Sequence, residues 1–129
     1  MSANTGQVEK VHEQIRNCTE CRLHESRTHA VPGAGDFAAP VMIIGEAPGA
    51  QEDEVGRPFV GRSGEYLDAR LQQVGLTRAD VFITSVVKCR PPDNRNPRAD
   101  ERRTCVDLWL GGQIALVDPE VIIVLGAVA

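Results

Sequence analysis

No stretch of this 129-residue chain is apolar for long enough to span a membrane, and Met1 to Glu9 are too polar for a secretory signal. Both absences lead us to expect a cytoplasmic protein with no membrane partner. Cationic excess is missing too. With 14 Lys and Arg against 18 Asp and Glu, the formal net charge is −4. That argues against non-specific coating of nucleic acid, though not against a local basic face. There is no internal repeat and no low-complexity tract. The chain therefore reads as one domain, residues 1–129, large enough for a real core but short for a doubly wound sheet. Cysteines number only 4, and in a reducing compartment they are expected as metal ligands or reduced thiols rather than disulfides.

What is present is organised around residues 41–64. Val41 to Ile44 form a continuous apolar run, as in a strand buried on both faces. A glycine-punctuated loop follows from Gly45 to Gly61, and a helix is expected from Ser63, which is a good N-cap. Open α/β sheets place their ligands where a strand feeds such a loop and then a helix. Glu46, Glu52, Asp53 and Glu54 would repel a polyphosphate, and the Lys-Ser/Thr end of a P-loop is absent. Phe59, between Pro58 and Val60, is the one aromatic of the loop. Acidic groups, exposed backbone and one aromatic suggest a pocket for a flat, neutral, hydrogen-bonding ligand.

Elsewhere, Val8, Val11 and Ile15 mark the apolar face of a helix over residues 4–17. Val31 to Gly35 read as a turn. Leu67, Leu71 and Val74 give the next helix a buried stripe, and Gly75 suits its C′ position. A second strand runs from Val81 to Val87, and a helix is expected from Asn96-Pro97 to about Leu116. Val121 to Leu125 should be a third buried strand. No crossover helix follows to cover that strand, so we expect a fragment of a longer protein.

Cys18 and Cys21 form a C-x-x-C pair, while Cys89 follows the second strand and Cys105 lies in the next helix. The four are expected to converge on one metal site. Their spacing does not separate a four-cysteine zinc site from an iron–sulfur cluster. Arg90, Arg95, Arg98, Arg102 and Arg103 lie between Cys89 and Cys105, forming with Lys88 the one basic stretch, and could sit on phosphates. His12, His24 and His29 read as surface residues, and Tyr66 and Trp109 as packing groups.

In order along the chain stand Cys18-Thr-Glu-Cys-Arg-Leu, Gly45-Glu-Ala-Pro-Gly with Glu52-Asp53, and Gly56-Arg-Pro-Phe-Val-Gly. Val86-Val-Lys-Cys-Arg-Pro-Pro with Asn94-Arg95, Cys105 and Val124-Leu-Gly-Ala complete the series. Together they resemble the family 4 uracil-DNA glycosylases, the iron–sulfur type of bacteria and archaea. The resemblance implies a three-layer α/β/α sandwich around a short parallel sheet, with the last strand and helix missing from this chain. It implies a [4Fe–4S] cluster on Cys18, Cys21, Cys89 and Cys105. A monomer acting on uracil-containing DNA, single- or double-stranded, in base-excision repair would follow. An extruded uracil would stack on Phe59, with backbone groups of Gly45, Glu46 and Ala47 at its edge. Bond cleavage needs hydrogen-bond donors at the base and a carboxylate-guided water at the sugar, for which Glu46 and Glu52 are the candidates. Ala47 stands where some other uracil glycosylases carry Asp.

Two positions depart from the family pattern. The second strand usually ends Thr-Asn, whose amide reads uracil, whereas here it ends Thr84-Ser85. A hydroxyl lacks the amide's fixed donor–acceptor pair, so looser discrimination against cytosine or weaker activity is expected. The family's His-containing motif lies beyond the third strand, where this chain has ended. Its loss should cost on the order of 10²–10³ in rate, by analogy with oxyanion-hole deletions. The competing expectations are a catalytically impaired iron–sulfur DNA-binding module and a superfamily member with altered deaminated-base specificity.

Overall fold

The computed structural model describes residues 5–129; the expected helix start at residue 4 lies outside the described residues. Helix α1 is Thr5–Arg16. Strands β1 (Ala34–Gly35) and β2 (Val41–Gly45) follow, then helices α2 (Ala50–Val55) and α3 (Arg62–Gln73). Strand β3 (Val81–Ser85), helices α4 (Ala99–Cys105) and α5 (Gly111–Val117), and strand β4 (Val121–Val124) complete the order. A π-helical turn, Val106–Leu110, joins α4 to α5.

The sheet order is β1-β3-β2-β4. β2 pairs in parallel with β3, Val41 opposite Val81 through Gly45 opposite Ser85, and in parallel with β4 on its other side. Successive side chains of a strand face opposite ways, so each strand feeds two cores. Met42, Ile44 and Phe82 join Val8, Ile15, Leu110 and Val117 of the helices on one face. Ile43, Val81 and Ile83 meet Leu67 and Leu71 of α3 on the other. That is the α/β/α layering expected, with an added antiparallel edge: Ala34 and Gly35 pair with Ile83 and Phe82.

Several sequence expectations need correction. β4 is an exposed edge strand rather than a buried one, its residues 43–52% exposed. Among the described residues no helix packs over it, so its apolar run reflects sequence without cover. The β3 ladder stops at Ser85, two residues early. Helix α3 starts at Arg62 with Gly61 as N-cap, since the backbone reaches helical geometry before Ser63. Val74 is 70% exposed because the helix has ended and the chain is turning through Gly75, whose φ is +78°. α4 starts at Ala99 rather than at Pro97. His12 is buried rather than on the surface, between Phe37 and Phe82 with ring centroids at 5.1 and 5.7 Å.

Candidate active site and cysteine centre

The loop after β2 is built by carboxylates that face inward to backbone N–H groups. Glu52 Oε1 accepts from Gly49 N at 3.0 Å, which caps α2, and its Oε2 accepts from Val60 N and Gly61 N, both at 3.0 Å. Asp53, buried, accepts from Thr28 N at 2.8 Å and His29 N at 3.1 Å, tying the 26–31 segment to α2. Three accepted N–H bonds make Glu52 the clamp that folds the chain back on itself. The short helix α2 and this clamp were not legible as such in the sequence.

The clamp delivers Phe59 with a φ of +53°, a left-handed conformation that a bulky residue rarely adopts and that the surroundings must enforce. The enforcing group is Arg78, just ahead of β3. Its Nη2 donates to Phe59 O, its Nη1 to Pro58 O at 3.0 Å, and its Nε pairs with Asp68 Oδ1 at 2.5 Å. The ring of Phe59 lies on Gly45: a side-chain carbon there would sit 2.8 Å from Cζ. Glycine at 45 is therefore the condition for the aromatic's position. Sequence reading missed Arg78, whose partners lie 10 to 20 residues away along the chain.

Phe59, Ala47, Gly49, Glu52 and Ser85 line one cavity of about 190 Å³. Glu46 is not among its walls. It lines an adjoining groove of about 130 Å³ between the 46–49 turn and the Pro91 to Pro97 segment, and Ala47 to Gly49 are common to both. Its Oε2 accepts from Val128 N at 2.9 Å. The carbonyls of Gly45 and Glu46 are already occupied by Val86 N (2.9 Å) and Val87 N (3.3 Å). Ser85 donates its hydroxyl proton to Val87 O at 2.5 Å, which leaves only acceptor capacity at that oxygen.

A second, small pocket brings Cys18, Cys21, Cys89 and Cys105 together with Lys88, Arg27 and Trp109. All four thiols are free. Two sulfurs accept from N–H donors: Cys18 from Trp109 Nε1 at 3.3 Å and Cys89 from Arg27 Nη1 at 3.1 Å. Trp109 reaches Cys18 from the π-helical turn, an irregularity that recurs at functional sites. Burial raises the thiols of Cys21 and Cys89, and pushes Cys105 up to about 11. As free thiols they would stay protonated at neutral pH. Among the described residues no three Cys, His, Asp or Glu stand close enough for one metal ion. The four sulfurs line one pocket, a soft donor set of the kind that as thiolates binds zinc or an iron–sulfur cluster.

The cysteine segments are knotted by charge. Glu101, 1% exposed, takes two bonds from Arg95 at 2.8 Å, one from Arg22 at 3.0 Å and one from Arg98 N at 2.8 Å. Arg95, with help from Arg98 N and Arg22, holds its carboxyl down at about 2 against the opposing effect of burial. Arg22 also reaches Asp100 at 2.5 Å. Arg95 therefore serves this knot rather than an open phosphate surface. His24 bonds Cys21 O at 2.8 Å and His29 bonds Asp53 O at 2.9 Å.

Residues 32–129 match the uracil DNA glycosylase superfamily, and the chain belongs to that superfamily. Within it, the chain is similar to the type-4 uracil-DNA glycosylase of Pyrobaculum aerophilum, 52% identical over 122 residues, covering 95% of this chain and 62% of the relative. The type-4 enzyme of Thermotoga maritima is 46% identical over 122 residues, covering 95% and 63%. A type-5 uracil-DNA glycosylase of Thermus thermophilus is 34% identical over 114 residues, covering 77% and 51%. The chain thus spans under two thirds of the length of these relatives.

Proposed function

We propose that residues 1–129 form one domain of a monomeric, cytoplasmic uracil-DNA glycosylase that takes an extruded uracil into the cavity beside Phe59 and hydrolyses its N-glycosidic bond. The observation that carries this reading is the aromatic ring held over Gly45 in the wall of a small cavity that Ser85 also lines. Extrusion costs least from a mispaired or single-stranded site. As the bond from C1′ to N1 breaks, its electron pair leaves with uracil and a water oxygen bonds C1′, losing one proton that ends on the uracil anion. We assign the guiding of that water to Glu46, which lines the groove next to the cavity, over Glu52, whose oxygens accept from three N–H groups. Ala47 lines the base site, and the Gly45–Glu46 turn leads into it from β2.

A [4Fe–4S] cluster on Cys18, Cys21, Cys89 and Cys105 is part of this proposal, supported by the soft all-sulfur donor set and its N–H donors. When bound it would supply a rigid anionic cross-link between α4, the end of β3 and the segment after α1. The test uses the full-length protein, a uracil-containing oligonucleotide and alkaline cleavage of abasic sites. Strand scission dependent on uracil is expected; binding without scission would leave the non-catalytic module instead. Altered specificity is favoured by one observation, the commitment of Ser85 to Val87, and the same assay with hypoxanthine or xanthine decides it. Iron and sulfide in equal amounts are expected, and stoichiometric zinc after anaerobic preparation would overturn the cluster.

A further inference from the structure

We propose that Lys88 is a positioning residue that couples the cysteine centre to the base pocket, its buried ammonium fixing the Thr84–Ser85 end of β3. The proposal rests on the glycosylase reading for what the pocket binds. Lys88 is 1% exposed and lines the cysteine pocket. Its Nζ donates to Thr84 Oγ1 at 2.7 Å and to Ser85 O at 2.6 Å. Its carbonyl accepts from Val31 N at 2.7 Å, and Thr84 Oγ1 in turn donates to Pro32 O at 2.7 Å. Val31 and Ser85 are both walls of the cavity beside Phe59. One side chain and its own backbone thus hold two of those walls, while the next residue in the chain is Cys89 of the cysteine pocket.

Geometry explains why a long donor is needed there. Lys88 Nζ reaches from the wall of the cysteine pocket to Thr84 Oγ1 and Ser85 O, so one side chain spans the two sites. A buried donor left without acceptors is costly, so these two oxygens and the side chain fix one another. Shortening or removing that donor would free the Thr84–Ser85 end of β3 and, through the backbone, the neighbouring Cys89.

The experiment uses the full-length protein, prepared anaerobically, and a single-stranded oligonucleotide carrying one 2′-fluoro-deoxyuridine, which resists cleavage. A matched thymine oligonucleotide reports DNA affinity apart from uracil, and iron retained against EDTA reports the centre. Lys88→Met should weaken uracil-dependent binding about tenfold, the scale of one charge-assisted hydrogen bond, leave thymine binding unchanged, and release iron faster. Lys88→Arg should restore iron retention. Thr84→Val should lose uracil affinity while keeping iron, and Thr84→Ser should recover it, a rescue that a merely structural role does not predict. Uracil affinity within twofold of the parent in Lys88→Met overturns the proposal, and if that variant fails to fold the same result in Thr84→Val does so. Should the parent not distinguish uracil from thymine, the glycosylase reading fails instead. Iron release from Lys88→Met at the parent's rate would then still overturn the link to the centre.

Discussion

A side-chain carbon on Gly64 would overlap the carbonyl oxygen of Phe59, the same oxygen that receives Arg78 Nη2. The first turn of α3 is thereby part of the aromatic's support, and glycine is required there for backbone approach rather than for conformational freedom. Gly64→Ala should destabilise the protein by about 1–3 kcal/mol, the range for overpacking. By displacing Phe59 it should also lower kcat/KM on uracil-containing DNA by about 10²-fold, as an ångström-scale misplacement does. Thermal unfolding and steady-state kinetics read the two effects. Arg78→Lys should reproduce the kinetic loss, since an ammonium cannot reach Pro58 O, Phe59 O and Asp68 from one planar group.

The two glutamates of the loop should separate by the kind of damage their loss causes. Glu52 accepts three backbone N–H groups, and a glutamine there must turn one acceptor into a donor. Glu52→Gln is expected to lower Tm and raise KM, with about 1–3 kcal/mol of stability lost. Glu46→Gln keeps an acceptor for Val128 N, so it should leave Tm in place and lower kcat by about 10²-fold, the lower range for a group that guides a proton. The reverse pattern, with kcat lost only in Glu52→Gln, would move the water to Glu52.

How much of this was legible depended on whether a signal is local. The β-branched and apolar runs Val41–Ile44 and Val81–Ile83 announced the two central strands, and the C-x-x-C pair with the two later cysteines announced a shared cysteine pocket. β1 was illegible because it has only two residues and exists through close approach: a side chain at Gly35, with φ of +124°, would overlap Val81 O. α2 was hidden because its caps come from Glu52 and from contacts of Asp53 with a distant loop. His12 was legible in principle, since it lies on the same helical stripe as Val8 and Ile15. β4 read as buried from its apolar run even though no helix was expected to cover it, and the structure leaves it exposed.

Ser85 sets a specificity expectation. Its proton is committed to Val87 O, so toward the cavity it can only accept, from N3–H of uracil or equally from the amino group of cytosine. Ser85→Asn would offer a fixed donor beside an acceptor. The ratio of kcat/KM for uracil over cytosine should rise by about 10- to 100-fold, the discrimination typical of a bidentate amide contact. Competition between two oligonucleotides differing only in that base measures it. An unchanged ratio would mean that the base edge does not face β3.

Acid should remove stability over two separable pH ranges. His12 is held neutral by burial, with Arg16 and Lys88 adding to the effect, so its folded pKa falls to about 4 from 6.5. The unfolded chain then takes up the proton first, and the stability this gives is full above pH 6.5 and lost as pH falls toward 4. Its size is on the order of 3 kcal/mol. Glu101 acts lower down: its folded pKa is about 2 against 4.5, so its share persists above pH 4.5 and disappears as pH falls toward 2. Denaturant unfolding between pH 7.5 and 3 should therefore lose stability first through His12. His12→Gln should flatten the curve between pH 6.5 and 4.5 while leaving the lower limb. Glu101→Gln should cost about 3 kcal/mol at neutral pH by leaving Arg95 and Arg22 without their shared carboxylate, and should flatten the lower limb only. An upper limb that persists in His12→Gln would show that another group titrates there.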